Sequence, residues 1–242
     1  MKQNTLFGGV KKKELVKSIS YSQEEIIRNI IKMYCPNGIE LDPTYSKGNF
    51  YKKISKPRYK FDINPQIEGV EKADCINLPL KDDSINSIMF DPPFIAGIPT
   101  ATAKKGIISS RFGSYMSIPR KDGLWEMYRK ALKEFYRILK KEGILVIKCQ
   151  DTISDGHQFL SHVELINYAY LLGFYPKDLF VLLAENRIIK PYPKQKHSRK
   201  YHSYFLVFIK KKCPVKYSLQ LNSEGIFPPK PKVMGIQNAK II

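Results

Sequence analysis

Apolar residues recur along the chain with two alternating periods. Ile26, Ile27, Ile30 and Ile31 fall three and four apart, which places them on one face of a helix. Ser22, three residues before Glu25, supplies a capping box for its start, and Cys35-Pro36-Asn37-Gly38 ends it. Short strand-like segments follow at 39–42, 59–62, 70–74 and 84–91, each closing on an acid: Asp42, Asp62, Asp74 and Asp91. Leu124, Met127, Tyr128, Ala131, Leu132, Phe135, Tyr136 and Leu139 then predict a second amphipathic helix. Lys140-Lys141 and Gly143 mark its end. The apolar run 144–147 reads as a buried strand, 161–172 as a third helix closed by Gly173, and 179–183 and 204–209 as two last strands.

Strands that alternate with helices predict an α/β fold, with a mostly parallel sheet and helices on both faces. Seven strands are expected. The last two have no helical pattern between them, so they are expected to pair antiparallel. Open parallel sheets hold ligands beyond the carboxyl ends of their strands. Asp42, Asp62, Asp74 and Asp91 should therefore gather on one rim. Gln150 and Asp151 reach the same rim and either touch substrate or cap the next turn. The long stretch 95–121, with five basic residues and no acid, also leaves this rim, as does 187–200, with six basic residues and no acid.

Composition narrows the class. Hydrophobic residues make up 43% and charged residues 26%, the balance of a folded soluble chain rather than a disordered one. Cys35, Cys75, Cys149 and Cys213 are widely spread with no C-x-x-C pair. Neither a disulfide frame nor a metal site is expected, and a reducing cytoplasm fits. No membrane-length apolar run and no secretory leader is seen. Lys and Arg number 41 against 22 Asp and Glu, a formal net charge of +19. That excess suits a polyanionic partner, nucleic acid before a membrane surface, although a lysine-rich proteome also produces it. Residues 1–20 carry Lys2, Lys11, Lys12, Lys13 and Lys17 against Glu14 and read as a basic arm. Residues 21–212 form the expected folded domain, and the Pro-rich tail 213–242 is weakly patterned.

The sharpest motif is Asp91-Pro92-Pro93-Phe94 at the end of a strand. Two prolines stiffen the turn and remove two N–H donors. The Asp91 carboxylate and the Pro92 carbonyl then form an acceptor pair able to hold both hydrogens of an exocyclic amine. An amine held this way is drawn toward a pyramidal nitrogen, with its lone pair localised for in-line attack on a methyl group. Phe94 offers a face for stacking a base.

With this motif the sequence resembles the S-adenosylmethionine-dependent DNA amino-methyltransferases of the adenine-N6 type. The resemblance covers about residues 20–210 and implies a Rossmann-like class I methyltransferase fold. Asp42-Pro43-Thr44-Tyr45-Ser46-Lys47-Gly48-Asn49 is similar to that family's D-P-x-x-G-x-G cofactor turn, with Ser46 in place of the first glycine. The resemblance implies that Asp42, Pro43, Thr44 and Gly48 border the cofactor, Asp42 near its methionine end. It gives Asp62 the ribose hydroxyls and Asp74 the adenine amine, with Cys75 and Ile76 beside the ring. Asp91 in place of serine favours adenine N6 over cytosine N4. The expected cofactor is S-adenosylmethionine and the expected substrate DNA, with a flipped or single-stranded target base. An RNA exocyclic-amine methyltransferase and a non-catalytic partner subunit are the alternatives. The resemblance also leads one to expect a large target-recognition domain, and none is visible in this sequence: either the recognition site is short, or specificity is low, or a partner protein or homodimer supplies it. A restriction companion, a solitary regulator and a viral anti-restriction enzyme would share this pattern.

Lys104, Lys105 and Arg111 in the first basic stretch are candidate phosphate contacts. So are Arg187, Lys190, Lys194, Lys196, Arg199 and Lys200 in the second, where Tyr192 is a stacking or wedging group. His197 and His202 read as backbone or phosphate contacts. Replacing the basic residues of 187–200 by glutamine is expected to weaken duplex binding and flatten its salt dependence. Filter binding across a salt series measures this, and an unchanged slope would remove the segment from the interface.

Overall fold

A computed structural model describes residues 15–94, 121–154, 157–185 and 195–214. The first strand, β1 (Ile19–Ser20), runs straight into helix α1 (Gln23–Tyr34). Then come β2 (Leu41–Asp42), a 3-10 turn (Asn49–Tyr51), β3 (Tyr59–Asp62), β4 (Glu71–Lys72) and β5 (Ile85–Phe90). After helix α2 (Lys121–Ile138) follow β6 (Leu139–Cys149), a small hairpin β7 (Thr152–Ser154) and β8 (His157–Phe159), α3 (Ser161–Leu172), β9 (Phe174–Leu183) and β10 (His202–Lys210).

The main sheet has the order β1-β9-β10-β6-β5-β2-β3-β4. All pairs are parallel except those of β10, which runs antiparallel to both β6 and β9. This is the expected Rossmann-like α/β arrangement. The seven expected strands are present, and Ile19–Ser20, the last residues of the basic arm, add a short eighth beside β9. From β2 the chain continues outward to β3 and β4, while β5 starts the other half at β2's opposite side. A crevice therefore opens at the carboxyl ends of β2 and β5.

Two apolar layers sandwich the sheet. Ile26, Ile27 and Ile30 of α1 pack with Met89, Val146, Phe205 and Val207 on one face. Met127, Leu132 and Phe135 of α2 and Leu165 and Ala169 of α3 pack with Ile88, Phe90, Leu145, Ile147, Leu206 and Phe208 on the other. Strand neighbours alternate between the layers, the period-two rule for a sheet buried on both sides. Fully burying side chains of this size contributes about 1.5–3 kcal/mol each.

Three local details differ from the sequence pattern. Ser22 caps α1 by accepting the N–H of Glu25, but the Glu25 carboxylate takes the Ser20 hydroxyl at 2.5 Å rather than reaching back to Ser22. The second helix ends at Ile138, and the next residue already pairs in the sheet, Leu139 opposite Ile85. Its last carbonyls are satisfied by N–H groups of the incoming segment, Asp83 to Arg137 at 3.0 Å and Ser84 to Ile138 at 2.8 Å, so no glycine cap is needed. Gly143 instead serves the irregularity inside β6, where an added Cβ would lie 2.8 Å from the Lys140 carbonyl. The β7–β8 hairpin was not expected, although Asp155-Gly156 between its strands is a strong hairpin signal.

A polar clasp fixes α2 to the segment before β5. Glu134, buried on α2, accepts the Leu78 N–H at 2.8 Å and holds Arg137 at 2.6 Å. Arg137 donates on to the Leu80 carbonyl at 2.9 Å and to Asp82 at 2.6 Å. Glu134→Ala would strand the buried Leu78 amide and is expected to cost about 1–3 kcal/mol. Urea unfolding measures it, and an unchanged midpoint would show that the clasp carries no stability.

Candidate active site at the carboxyl rim

Asp42 ends β2 and is 2% exposed. Its Oδ1 accepts the Thr44 N–H at 2.9 Å and the Thr44 hydroxyl at 3.3 Å, and its Oδ2 accepts the Tyr51 hydroxyl at 2.8 Å. Burial pushes its carboxyl up to about 7; the donors from Thr44 and Tyr51 oppose the rise and nearby Asp91 adds to it. Thr44 Oγ1 in turn accepts the Asp91 N–H at 3.0 Å. One threonine side chain thus ties the ends of β2 and β5 together across the crevice.

The turn after Asp42 is unusual in backbone conformation. Ser46 has φ +50°, the left-handed region that favours glycine. Its N–H donates to Asp62 Oδ2 at 2.8 Å, which holds it there. Gly48 has φ +66°, and an added Cβ would lie 2.5 Å from the Tyr45 hydroxyl oxygen. The close neighbour that keeps this position glycine is therefore Tyr45, which stacks on Tyr51 at 5.4 Å.

Asp62 ends β3 and is 6% exposed. Besides Ser46, it accepts the Asn64 N–H at 2.8 Å through Oδ1. Burial raises its carboxyl while these two amides oppose the rise. Each oxygen keeps a second lone pair for another donor. Asp74, half-buried beyond β4, accepts the Ile76 N–H at 3.2 Å. Cys75 turns its sulfur into the core, 3.9 Å from Met127 Sδ.

The Asp91-Pro92-Pro93-Phe94 turn is held at both ends. Asp91 N–H is anchored by Thr44, and the Pro93 carbonyl accepts the buried Tyr128 hydroxyl of α2 at 3.3 Å. Between them stands the Pro92 carbonyl. Asp91 keeps 30% of its side chain exposed, and its Oδ1 lies 3.7 Å from Lys148 Nζ. Burial pushes the Asp91 carboxyl up and Lys148 pulls it down.

A cavity of about 280 Å³ opens beside this turn, lined by Phe94, Lys148, Gln150, Tyr21, Gln23 and His202 among others. None of the four rim acids lines it, and of the proline turn only Phe94 does. Asp62 and Asp74 stand on the far side of Asp42 from Asp91, so the cavity belongs to the β5–β10 side of the rim. Gln150 donates to the His202 carbonyl at 2.6 Å. Asp151 is 5% exposed and turns away, bonding the His162 ring at 2.7 Å at the start of α3. His202 bonds the Tyr204 hydroxyl at 2.9 Å.

Of the basic candidates, Lys196 and Arg199 are exposed and Lys200 half-buried, ahead of β10 on this same rim. Lys104, Lys105, Arg111, Arg187, Lys190, Tyr192 and Lys194 lie outside the described residues. Sequence reading missed Lys148, Gln23, Tyr51 and Tyr128. For Lys148 a signal existed: a lone cation directly after the buried run 144–147, on the rim. Among the described residues no cluster of His, Cys, Asp or Glu is built to hold a metal, and no helix is long and apolar enough to cross a membrane.

No protein-family model and no curated protein matches the chain. Among solved structures it is similar to a protein from Thermus thermophilus, provisionally assigned as a DNA modification methylase and crystallised with S-adenosyl-L-methionine, at 16% identity over 61% of this chain and 57% of that one (TM-score 0.40). It is also similar to an S-adenosylmethionine-dependent methyltransferase from Thermotoga maritima, with histamine suggested as its substrate, at 21% identity over 75% and 86% (TM-score 0.44). The cytosine-N4-specific PvuII DNA methyltransferase is a third, at 16% identity over 59% and 49% (TM-score 0.43). The chain spans 57% of the length of the first of these. Likenesses of this strength carry neither activity nor substrate from one protein to another.

The buried Asp42 gives a pH test. Its ordinary value is 3.8 and its folded value about 7, so between these the folded chain keeps a proton that the unfolded chain has lost. Stability from this group is full below pH 4, falls as pH rises to 7, and stays lost above. Asp42→Asn is therefore expected to stabilise the fold at pH 8 relative to wild type, by on the order of 1–3 kcal/mol, and by much less at pH 5. Denaturant melts at both pH values measure this; a difference independent of pH would mean that Asp42 is not buried as a costly anion.

Proposed function

We propose that this chain moves a methyl group from S-adenosylmethionine to the N6 amine of adenine in DNA. The observation that carries the reading is the Asp91-Pro92-Pro93-Phe94 turn, fixed by Thr44 and Tyr128 at its two ends, with Phe94 on the wall of the neighbouring cavity. A rigid acceptor pair beside an aromatic face suits a flat base that carries an amine, and the cavity of about 280 Å³ begins at that face.

The β2–β4 side of the rim suits the cofactor's chemistry. S-adenosylmethionine presents hydrogen-bond donors at its ribose diol, adenine amine and α-ammonium, and the rim offers acceptors. Asp62 would take the ribose hydroxyls through its second lone pairs, and Asp74 the adenine amine. Asp42, Pro43, Thr44 and Gly48 would border the methionine end, with Cys75 contributing backbone and Ile76 the ring contact. The bound cofactor would supply an electrophilic methyl on a sulfonium.

The residues of this chain do the positioning. Asp91 and the Pro92 carbonyl would accept the two amine hydrogens and leave the nitrogen lone pair localised, with Phe94 stacked on the base. So held, the amine nitrogen would be aligned toward the methyl that the bound cofactor supplies, and Asp91 would stand ready to take the proton that the alkylated nitrogen gives up and pass it to water. Alignment and fixed acceptors supply the rate. A target inside a duplex must be flipped out to reach Phe94. Lys196, Arg199 and Lys200 stand on the rim where the displaced backbone would pass, and the +19 net charge supports a nucleic-acid partner.

Incubation with S-adenosylmethionine and DNA, followed by nucleoside mass spectrometry, is expected to yield N6-methyladenine. Product only on RNA would replace DNA by RNA as the substrate. Asp91→Ala is expected to lower transfer by at least about 10²–10³-fold. Its cofactor affinity, measured by calorimetry, should stay within a few-fold of wild type. Full activity in Asp91→Ala would remove Asp91 from the chemistry.

A further inference from the structure

Lys148 is the least explained charge on the rim. It sits next to last in β6, a strand buried along most of its length, with only 14% of its side chain exposed. A lysine this enclosed needs a reason, because desolvating an ammonium is costly unless it is paired. Its surroundings supply three. Nζ donates to Gln23 Oε1 at 2.8 Å. It stands 5.0, 5.7 and 5.8 Å from the ring centres of Phe50, Phe94 and Phe205, whose faces attract a cation. It faces Asp91 Oδ1 at 3.7 Å.

We propose that Lys148 is the positioning residue of the acceptor turn: it fixes the direction of the Asp91 carboxylate and keeps it ionised, while Phe50, Phe94, Phe205 and Gln23 hold the ammonium in place. Asp91 needs such a partner. The titratable groups near enough to influence it electrostatically come from three other elements: Asp42 and Tyr51 on the β2 side, Tyr128 on α2, and Lys148 on β6. Asp42 and the two tyrosines give it no compensating cation. The buried environment pushes Asp91 toward its protonated form, in which one oxygen would donate rather than accept. Lys148 opposes that with a charge too far for a close hydrogen bond at 3.7 Å but near enough to favour the anion. The spacing matters, because both carboxylate oxygens remain available as acceptors. Phe94 shares the ammonium, so the orientation of the ring and the charge state of Asp91 depend on one side chain.

The inference rests on the methyl-transfer reading for its consequence in catalysis, but its physical core is measured without activity. Asp91 can be followed by carboxyl-carbon NMR in wild type, Lys148→Met and Lys148→Arg, assigned with Asp91→Asn. In Lys148→Met the Asp91 titration is expected to move to higher pH by about one unit or more, and in Lys148→Arg to return close to wild type. The acid limb of the N6-methyladenine rate profile should move upward with it, with the KM for S-adenosylmethionine within about two-fold, since β5 and β2 stand between Lys148 on β6 and the acids Asp62 and Asp74 at β3 and β4. In wild type the Lys148 Cε resonance should shift with the same midpoint as Asp91. An Asp91 titration unmoved in Lys148→Met, or a wild-type Lys148 resonance indifferent to Asp91, overturns the proposal; the second needs no variant to fold. If wild type methylates neither DNA nor RNA while the Asp91 titration still responds to Lys148, the methyl-transfer reading fails and the pairing stands.

Discussion

The rim is organised by one constraint: two carboxylates sit at the ends of adjacent parallel strands, Asp42 buried and Asp91 partly so. Neither is left as a bare anion. Lys148 faces the Asp91 carboxylate, while Thr44 donates its amide and hydroxyl to Asp42 and ties the Asp91 backbone to it by accepting the Asp91 amide. Tyr51 satisfies the other Asp42 oxygen, which requires the 3-10 turn that brings it back under β2. That turn in turn needs the left-handed Ser46 and Gly48, and Ser46 is anchored by the next acid along the rim, Asp62. The chain of contacts from Asp91 to Asp62 is thus a single solution to the placement of negative charge at a sheet end.

Most of the sheet could be read from the sequence because its strands are buried on both faces and written in apolar letters. The runs at 84–91, 144–147 and 204–209 all appear, although β6 and β9 extend well beyond the apolar core of their patterns. The extensions, at Leu139 and at Phe174, begin directly at helix ends, where helical and strand periodicities overlap and neither wins on sequence alone. Two-residue strands such as Glu71–Lys72 carry no periodicity and are fixed by their neighbours. At the site, the acids and the proline turn were readable because four strand-like segments in succession close on an acid and the last runs into two prolines and an aromatic residue. Lys148, Tyr51 and Tyr128 were not, because what gives each its role is a partner 57, 9 or 35 residues away.

The rim also shows how two similar acids take different parts. Asp151, like Asp91, follows a buried strand, but it faces His162 and Tyr204 and closes the start of α3. Its neighbour Gln150 turns to the cavity side and secures the backbone at His202. Alternation along an extended chain is enough to separate them: one side chain goes to the helix layer and the next to the cavity.

The short strand Ile19–Ser20 has a mechanical consequence. It covers the outer edge of β9 at Val181 and Leu182, the rest of that strand carrying Pro176, Lys177 and Asp178, while the opposite edge ends in Glu71 and Lys72, both exposed and oppositely charged. A sheet closed by a local cover at one margin and by a stubby ionic border at the other offers, among the described residues, no long apolar ribbon for another sheet to zip onto. Two copies brought edge to edge would meet proline and charged side chains at these described margins before they met an open apolar strand.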